Sequence, residues 1–301
     1  MRIRYKSYGD MCRDVAKNFE KFNGDWDLVV GIPRSGMIPA YIIALALNVN
    51  CTDIASWVNN RPLKRGGTRK VRKDIGFPWE AKKVLVVDDS IMSGESMKNA
   101  LVEIPSWLSL RAHTLAVYSN KPIRNDVDII LEFVPCPRVF EWNVFHHSVI
   151  SRSCISLESM AYEDRASEGG IINRFRYTTS GQINTIVSCR RESSRNEVEA
   201  LLNDVGISYR SLVMASEDDD LITVESLVRL KVDAFKSSSA DMFIEGDSGQ
   251  SRYICREVAK PVFCLNDNLM YNPGSSLGAR RMKDLLKQLL WKFSSVNARL
   301  R

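Results

Sequence analysis

The sequence predicts an α/β fold built on doubly wound parallel sheets. Three observations carry that prediction. Short runs of branched apolar residues, such as "DLVVGI", "KKVLVVDD" and "INTIVSC", alternate with stretches of helical periodicity. Those runs are apolar throughout, as in parallel strands buried on both faces, instead of alternating in and out. The strand–helix order then begins again in the second half of the 301-residue chain, which is long enough for two domains.

The elements follow in order. "DMCRDVAKNFEKF" spaces Met11, Val15, Phe19 and Phe22 along one side of a helix. "DLVVGI" is a buried strand that runs into "PRSG", and "MIPAYIIALAL" (37–47) is a buried helix too short to span a bilayer. A strand is expected near "CTDIASW". Residues 59–76, "NNRPLKRGGTRKVRKDIG", form a polar, glycine-containing, strongly basic loop; loops this long inside a domain are usually functional or disordered. "KKVLVVDD" is the next strand and "SMKNALVEI" the helix after it; "RAHTLAVYS" and "VDIILEFV" complete a first domain over residues 1–150.

A second, smaller α/β domain covers residues 151–270. Its strands are "CISLES", "INTIVSC", "YRSLVM", "ADMFIEGD" and "KPVFCL", with helices at "RNEVEALLNDVG" and "TVESLVRLKVDAFKSS". The tail, 271–301, reads as an amphipathic basic helix, with Leu285, Leu286, Leu289 and Phe293 in its apolar stripe and Arg280, Arg281, Lys283 and Lys287 off it.

Composition excludes some classes. At 45% hydrophobic and 26% charged residues the chain is an ordinary globular one. Its net charge of +6 suits phosphorylated small molecules or nucleic acid and equally a mixed-charge surface. Seven cysteines lie scattered with no CxxC pair, and there are three histidines, so a structural zinc site is not expected. Dispersed thiols, and an N-terminal "MRIRYKSYGDMCRD" without the apolar core of a signal peptide, give the expectation of a cytoplasmic protein without a membrane segment.

The most informative stretch is "VLVVDDSIMSGESM", residues 84–97. Two adjacent carboxylates, Asp88 and Asp89, stand at the carboxyl end of a buried strand, where ligands of open α/β sheets bind. The turn Ser93-Gly94-Glu95-Ser96 opens a helix whose free N–H groups and positive dipole end make an anion site. Carboxylates for hydroxyls or a metal, beside a cradle for phosphate, together suit a sugar phosphate.

This stretch resembles the signature of the type I phosphoribosyltransferases, which bind phosphoribosyl diphosphate (PRPP). The resemblance implies that Asp88 and Asp89 hold the ribose hydroxyls with Mg2+ nearby, and that Ser93, Gly94, Glu95 and Ser96 hold the 5-phosphate. Upstream, "VVGIPRSGMIPA" resembles the family's pyrophosphate loop, which assigns Arg34, Ser35 and Gly36 to the diphosphate. The basic stretch resembles the mobile loop that closes over PRPP. Lys64, Arg65, Arg69, Lys70, Arg72 and Lys73 are its candidates to meet charge on the leaving diphosphate, with Lys64 and Arg65 placed first. Phe140 and Trp142, in "VPCPRVFEWNVFHH", are candidates to stack on a flat acceptor base, and equally candidates for interdomain core. Two other readings of the Asp-Asp stretch stand beside this one: a receiver domain of response regulators, and a structural turn. The receiver reading suffers because a full α/β unit precedes the strand and because Asp126 and Asp128 do not terminate the next one.

The second domain resembles, more weakly, the haloacid-dehalogenase-like (HAD) phosphatases. There an Asp-x-Asp supplies nucleophile and general acid. Ser156 and Glu158 stand in those places here, while Ser188, Lys231, Glu245 and Asp247 match other marks of the family. This implies a HAD-like domain without phosphatase activity. An unrelated α/β domain remains the other reading.

Two functions are expected from the whole. One is a Mg2+-dependent phosphoribosyltransferase acting on a nucleobase-like acceptor with diphosphate as leaving group. The other is a PRPP- or nucleotide-sensing regulatory subunit of a larger assembly, for which the resemblance offers retron-type bacterial defence complexes with reverse transcriptase and nucleic acid as a model. A homo-oligomer or larger complex is expected, with nucleic acid reached through the basic loop or the C-terminal helix.

Overall fold

The computed structural model describes residues 1–64, 66–68, 70–163, 172–217 and 223–274. The chain divides into two compact units: Lys6–Arg138, and a second made of Met1–Tyr5 together with the chain from Val139 onward. All seven cysteines are free. Among the described residues no helix is long and apolar enough to cross a membrane.

Strand β1 (Arg4–Lys6) opens the chain. Helix α1 (Tyr8–Lys17) starts at a reciprocal cap: the Ser7 hydroxyl accepts from the Asp10 N–H at 3.1 Å, and the Ser7 N–H donates to the Asp10 carboxylate at 2.9 Å. Then come α2 (Phe19–Phe22), β2 (Leu28–Gly31), α3 (Met37–Leu47), β3 (Asn50–Asp53), α4 (Ile54–Val58), β4 (Val84–Ile91), α5 (Glu95–Val102), α6 (Ser106–Ser109), β5 (Ala112–Ser119), β6 (Ile129–Phe133) and β7 (Arg138–Phe140). The predicted strand at "CTDIASW" is half helix. Asp53 ends β3 and accepts from the Ser56 N–H at 2.8 Å, which starts α4.

In the first unit five parallel strands run in the order β3-β2-β4-β5-β6. Val84 to Val87 are all fully buried, which is why this run reads as continuously apolar. One face of the sheet packs Leu28, Val30, Val84 and Val86 against Trp57, Met97 and Leu108. Strand order reverses between β2 and β4, so the crevice at their carboxyl ends is the place a ligand is expected.

The second unit continues with β8 (Ser153–Ser156), α7 (Leu157–Met160), β9 (Ala161–Glu163), β10 (Ile172–Phe175), β11 (Ile183–Arg191), α8 (Arg195–Asp204), β12 (Tyr209–Ala215), α9 (Val224–Ser237), β13 (Met242–Glu245), α10 (Ser248–Val258), β14 (Val262–Cys264) and β15 (Leu269–Tyr271). Its six-stranded sheet has the order β12-β11-β8-β13-β14-β15, parallel except for β15. The reversal here lies between β8 and β13.

The division between units falls at 138/139, earlier than the 150 read from the sequence. Val139, Val144, Phe145, Val149 and Ile150 pack with Ile155, Ile186 and Ile244 in one cluster, so this connecting stretch is core of the second unit. Ile3 joins the same cluster. Leu269–Tyr271 pairs antiparallel with β14, so the predicted second domain closes on a strand where the tail segment, 271–301, begins. The rest of that segment, from 275, lies outside the described residues.

Candidate functional site

Strand β2 ends at Gly31, opposite Val87 of β4. Strand β4 continues alongside β5 as far as Ile91, opposite Ser119. Asp88 and Asp89 are therefore the first residues of β4 beyond their β2 neighbour, and they face the crevice at the sheet's reversal. The sequence placed them at the end of the strand; the structure keeps them within it, at the point where one flank opens.

The turn after β2 lies against them. The Ile32 N–H donates to the Val87 carbonyl at 2.9 Å, and the chain then bends through Arg34, Ser35 and Gly36 into α3. The Pro33–Arg34 peptide is cis. The Ser35 hydroxyl donates to Asp89 Oδ1 at 2.7 Å. Gly36 is buried. A β-carbon there would lie 2.5 Å from the Ile32 carbonyl, 2.8 Å from that of Val87 and 3.0 Å from Asp88 Oδ1, so only glycine lets the turn close on the acids. Arg34 is exposed and reaches outward from the same turn.

Both acids are buried, at 5% and 4% exposure. Burial, and then the charge of Asp89 next to it, push the Asp88 carboxyl up to about 8. The Ser96 hydroxyl and the Asp89 N–H bond to Asp88 and act in the opposite direction. Two carboxylates are thus held together, with the Arg138 guanidinium near enough to feel the charge of Asp89. A divalent cation or a pair of sugar hydroxyls relieves that arrangement. Among the described residues no cluster of three or more His, Cys, Asp and Glu could cage a metal. Mg2+ needs no such cage, because it commonly takes one or two carboxylates and completes its shell with water and substrate phosphates. The residues fit Mg2+ in that mode.

Beyond Ile91 the chain forms the expected turn. Gly94 has φ of 94°, a left-handed value that favours glycine, and Glu95 begins α5. Ser93, Glu95 and Ser96 are exposed. The turn stands at the end of β4 beside the acids; its Glu95 N–H donates to the Ser93 hydroxyl at 3.4 Å, and the Ser96 hydroxyl bonds to Asp88.

The basic loop is not uniform. The Leu63 N–H donates to the Gly76 carbonyl at 3.0 Å and closes its base. Arg72 pairs with Asp25 at 3.0 Å, and Lys73 pairs with Asp25 and with Asp27, whose carboxylate also accepts from the Lys82 and Lys83 N–H groups. Asp27 immediately precedes β2 and Lys83 immediately precedes β4. Arg72 and Lys73 are therefore tied to the amino ends of a parallel sheet, away from its carboxyl-end crevice, and leave the set of residues that could meet a diphosphate. Lys64 is exposed, while Arg65 and Arg69 lie outside the described residues.

Phe140 and Trp142 belong to the second unit. Phe140 is buried and stacks face to face on Trp142 at 4.8 Å, so each ring already covers one face of the other.

The sequence gives no sign of Arg124 and Arg138, which also meet the turn after β4. Arg124 and Arg138 donate to the Met92 and Ile91 carbonyls, 32 and 47 positions earlier, so no local pattern announces them.

In the second unit the marked residues do gather at the β8/β13 reversal. A cavity of about 430 Å³ there is lined in part by Glu158, Lys231, Glu245 and Asp247. Each carboxylate has internal partners. Glu158 accepts from the Ser188 hydroxyl at 3.0 Å, the Cys189 N–H at 2.6 Å and the Ser156 hydroxyl at 3.1 Å. Glu245 pairs with buried Lys231 at 2.7 Å, and Asp247 caps α10 by accepting from the Gln250 N–H at 2.8 Å. Burial opposes the Lys231 charge, yet Glu245 beside it holds the ammonium above the ordinary lysine range. Burial and the charge of Glu158 push the Cys189 thiol up to about 12, so it is no nucleophile at neutral pH. The carboxylates are satisfied by the protein itself, and this donor set does not fit a resident Mg2+.

Comparisons with known proteins bear on the first unit. Residues 5–150 match the family model described as phosphoribosyl transferase domain. A xanthine-guanine phosphoribosyltransferase of Cereibacter sphaeroides is 31% identical over 114 residues, 35% of this chain and 61% of that protein. Another of the same name, from Chromohalobacter salexigens, is 28% identical over 141 residues, 46% of this chain and 82% of that protein. Among solved structures, the Helicobacter pylori xanthine-guanine-hypoxanthine phosphoribosyltransferase aligns at 19% identity with a TM-score of 0.35, over 48% of this chain and 93% of its own. The chain thus spans 61% of the length of the first of these relatives. The matched segment, with its acid pair, its glycine-bearing turn and its five-stranded parallel sheet, is similar to a phosphoribosyl transferase domain.

Proposed function

We propose that the first unit binds PRPP with Mg2+ and transfers its phosphoribosyl group to a nucleobase-like acceptor, releasing diphosphate. One observation carries the reading: Asp88 and Asp89, the Arg34–Gly36 turn and the Ser93–Ser96 turn all lie at the carboxyl-end crevice of one sheet. The relatives' names favour a purine among acceptors.

In this reading Asp88 and Asp89 accept from the ribose hydroxyls and fix the sugar. Ser93, Gly94, Glu95 and Ser96 take the 5-phosphate on backbone N–H and hydroxyl groups at the start of α5. Arg34 and the N–H groups of Ser35 and Gly36 orient the diphosphate. Bound Mg2+ supplies charge neutralisation for the departing diphosphate. Breaking the bond at C1 leaves positive charge on the ribose ring, which the buried acid pair stabilises electrostatically. Lys64 and Arg65 add positive charge if the loop closes over the site.

The second unit is proposed to be a HAD-like fold without phosphatase activity. Ser156 stands where the nucleophile would be and is bonded to Glu158. Hydrolysis of small phosphate esters, lost on Asp247→Ala, would contradict this.

The test is thermal unfolding with and without Mg2+ and PRPP, for the natural protein and for Asp88→Asn/Asp89→Asn. Ligand at about 100 times its Kd adds about 2.7 kcal/mol, several degrees in Tm for the natural protein and none for the variant. Diphosphate release on adding purine bases then establishes turnover. Binding without release would support the sensing subunit instead, and no binding at all would defeat the PRPP reading.

A further inference from the structure

The Ser93–Ser96 turn is held from behind. The carbonyl of Ile91 accepts from Arg138 Nη2 at 2.8 Å and from the Asn120 N–H at 3.3 Å. The next carbonyl, that of Met92, accepts from Arg124 Nη1 at 2.8 Å. Both guanidinium side chains are largely buried, Arg124 at 5% and Arg138 at 7% exposure. Arg124 is itself fixed: Nη1 donates to Asn120 Oδ1 at 3.0 Å, and Nε and Nη2 fork onto Asp126 at 2.7 and 2.6 Å. Asp126 in turn packs on the turn so closely that a β-carbon at Gly94 would collide with its Oδ2.

A trans peptide is planar, with its C=O and the following N–H pointing opposite ways. Holding the Met92 carbonyl toward Arg124 therefore aims the Ser93 N–H away from Arg124, toward the open side of the turn. Holding the Ile91 carbonyl does the same for the Met92 N–H. Left free, a glycine-bearing turn samples many orientations and its donors lose their convergence.

We propose that Arg124, locked by Asp126, is a positioning residue that aims the backbone donors of the Ser93–Ser96 turn at the sugar's terminal phosphate. This rests on the phosphoribosyl reading of the site. It separates the phosphate turn, braced by Arg124, from the diphosphate turn at Arg34–Gly36, which Arg124 does not touch.

The experiment uses two simple probes, ribose 5-phosphate and inorganic pyrophosphate, titrated calorimetrically with Mg2+ into the full chain and into Arg124→Met. Losing one charge-assisted bond should weaken ribose 5-phosphate about tenfold while pyrophosphate changes by less than about twofold. Arg124→Lys, which keeps a donor for Met92 but not the fork to Asp126, should fall between. If Arg124→Met does not fold, Asp126→Ala removes the lock through a half-exposed carboxylate and should show the same selective loss. Equal loss for both probes means a merely structural role and overturns the proposal, as does undiminished ribose 5-phosphate binding. A natural protein that binds neither probe overturns the phosphoribosyl reading, and this inference with it.

Discussion

Asp88 is the residue on which the ligand-free protein should be most sensitive to pH. Its folded value of about 8 lies above the ordinary 3.8, because burial and Asp89 disfavour the charged form. The folded protein therefore holds a proton that the unfolded chain releases. That contribution is fully present below the unfolded value and is lost as pH rises through about 8. The Tm of the ligand-free protein should accordingly fall between about pH 5 and about pH 9. Asp88→Asn should remove much of that slope, and an undiminished slope would assign the effect elsewhere. At this scale the sequence was half informative. Asp88, Asp89 and the glycine at 94 were legible because strand, acids and turn are contiguous. Arg124 was not, since it acts on the carbonyl of Met92, 32 residues earlier, and leaves no local spacing to read.

Elements whose burial is one-sided or complete announced themselves, and elements defined by capping did not. Strand β4 was visible from four consecutive buried residues, three valines and a leucine. Helix α10 (Ser248–Val258) was not, because its sequence "SGQSRYICREV" is mostly polar and its start depends on the Asp247 cap. The 59–76 loop is the instructive case, since composition marked it as one basic segment. The structure divides it into an anchored part, where Arg72 and Lys73 meet Asp25 and Asp27, and a part that is not so tied. Burial raises the Asp27 carboxyl, but the Lys73 bond and the Lys82 and Lys83 N–H groups outweigh it and hold the carboxyl below its usual range. Its contribution is therefore present above the unfolded value and lost as pH falls. Asp27→Asn should loosen the anchor, and limited trypsin digestion should cut between residues 64 and 73 several-fold faster than in the natural protein. Unchanged cleavage would mean that the Asp25 pairs suffice.

At the scale of the whole molecule, each unit has its own sheet and its own buried clusters. Each sheet also has one strand-order reversal, and the two reversals differ in chemistry. The first brings together two adjacent carboxylates, one of which burial and its neighbour's charge hold protonated; the second brings together carboxylates matched to Lys231, Ser188 and backbone N–H groups. On the proposed reading the first receives a charged ligand, and the second needs none. Calorimetric unfolding with Mg2+ and PRPP should therefore raise the transition of the first unit and leave that of the second unmoved. An equal rise in both, or a single transition shifted whole, would show that the units unfold together. The fold class and the two-domain plan were legible, because strand–helix alternation is a local signal. The exact division was not, because it depends on residues far apart.

That distance has a consequence for how the chain is made. Ile3 exchanges hydrogen bonds with the side chain of Asn272, at 2.8 and 3.0 Å, and β1 pairs with β7. The first unit is thus spliced into the second, with residues 1–5 and the chain from 139 onward in one body. A nascent chain can complete the inserted unit once residue 138 has left the ribosome, while Ile3 still waits for Asn272, on the order of ten seconds later at common elongation rates. Until then the apolar Ile3 has no finished core to enter. Translation order makes the inserted unit the early folder and Ile3 among the last residues to find its place.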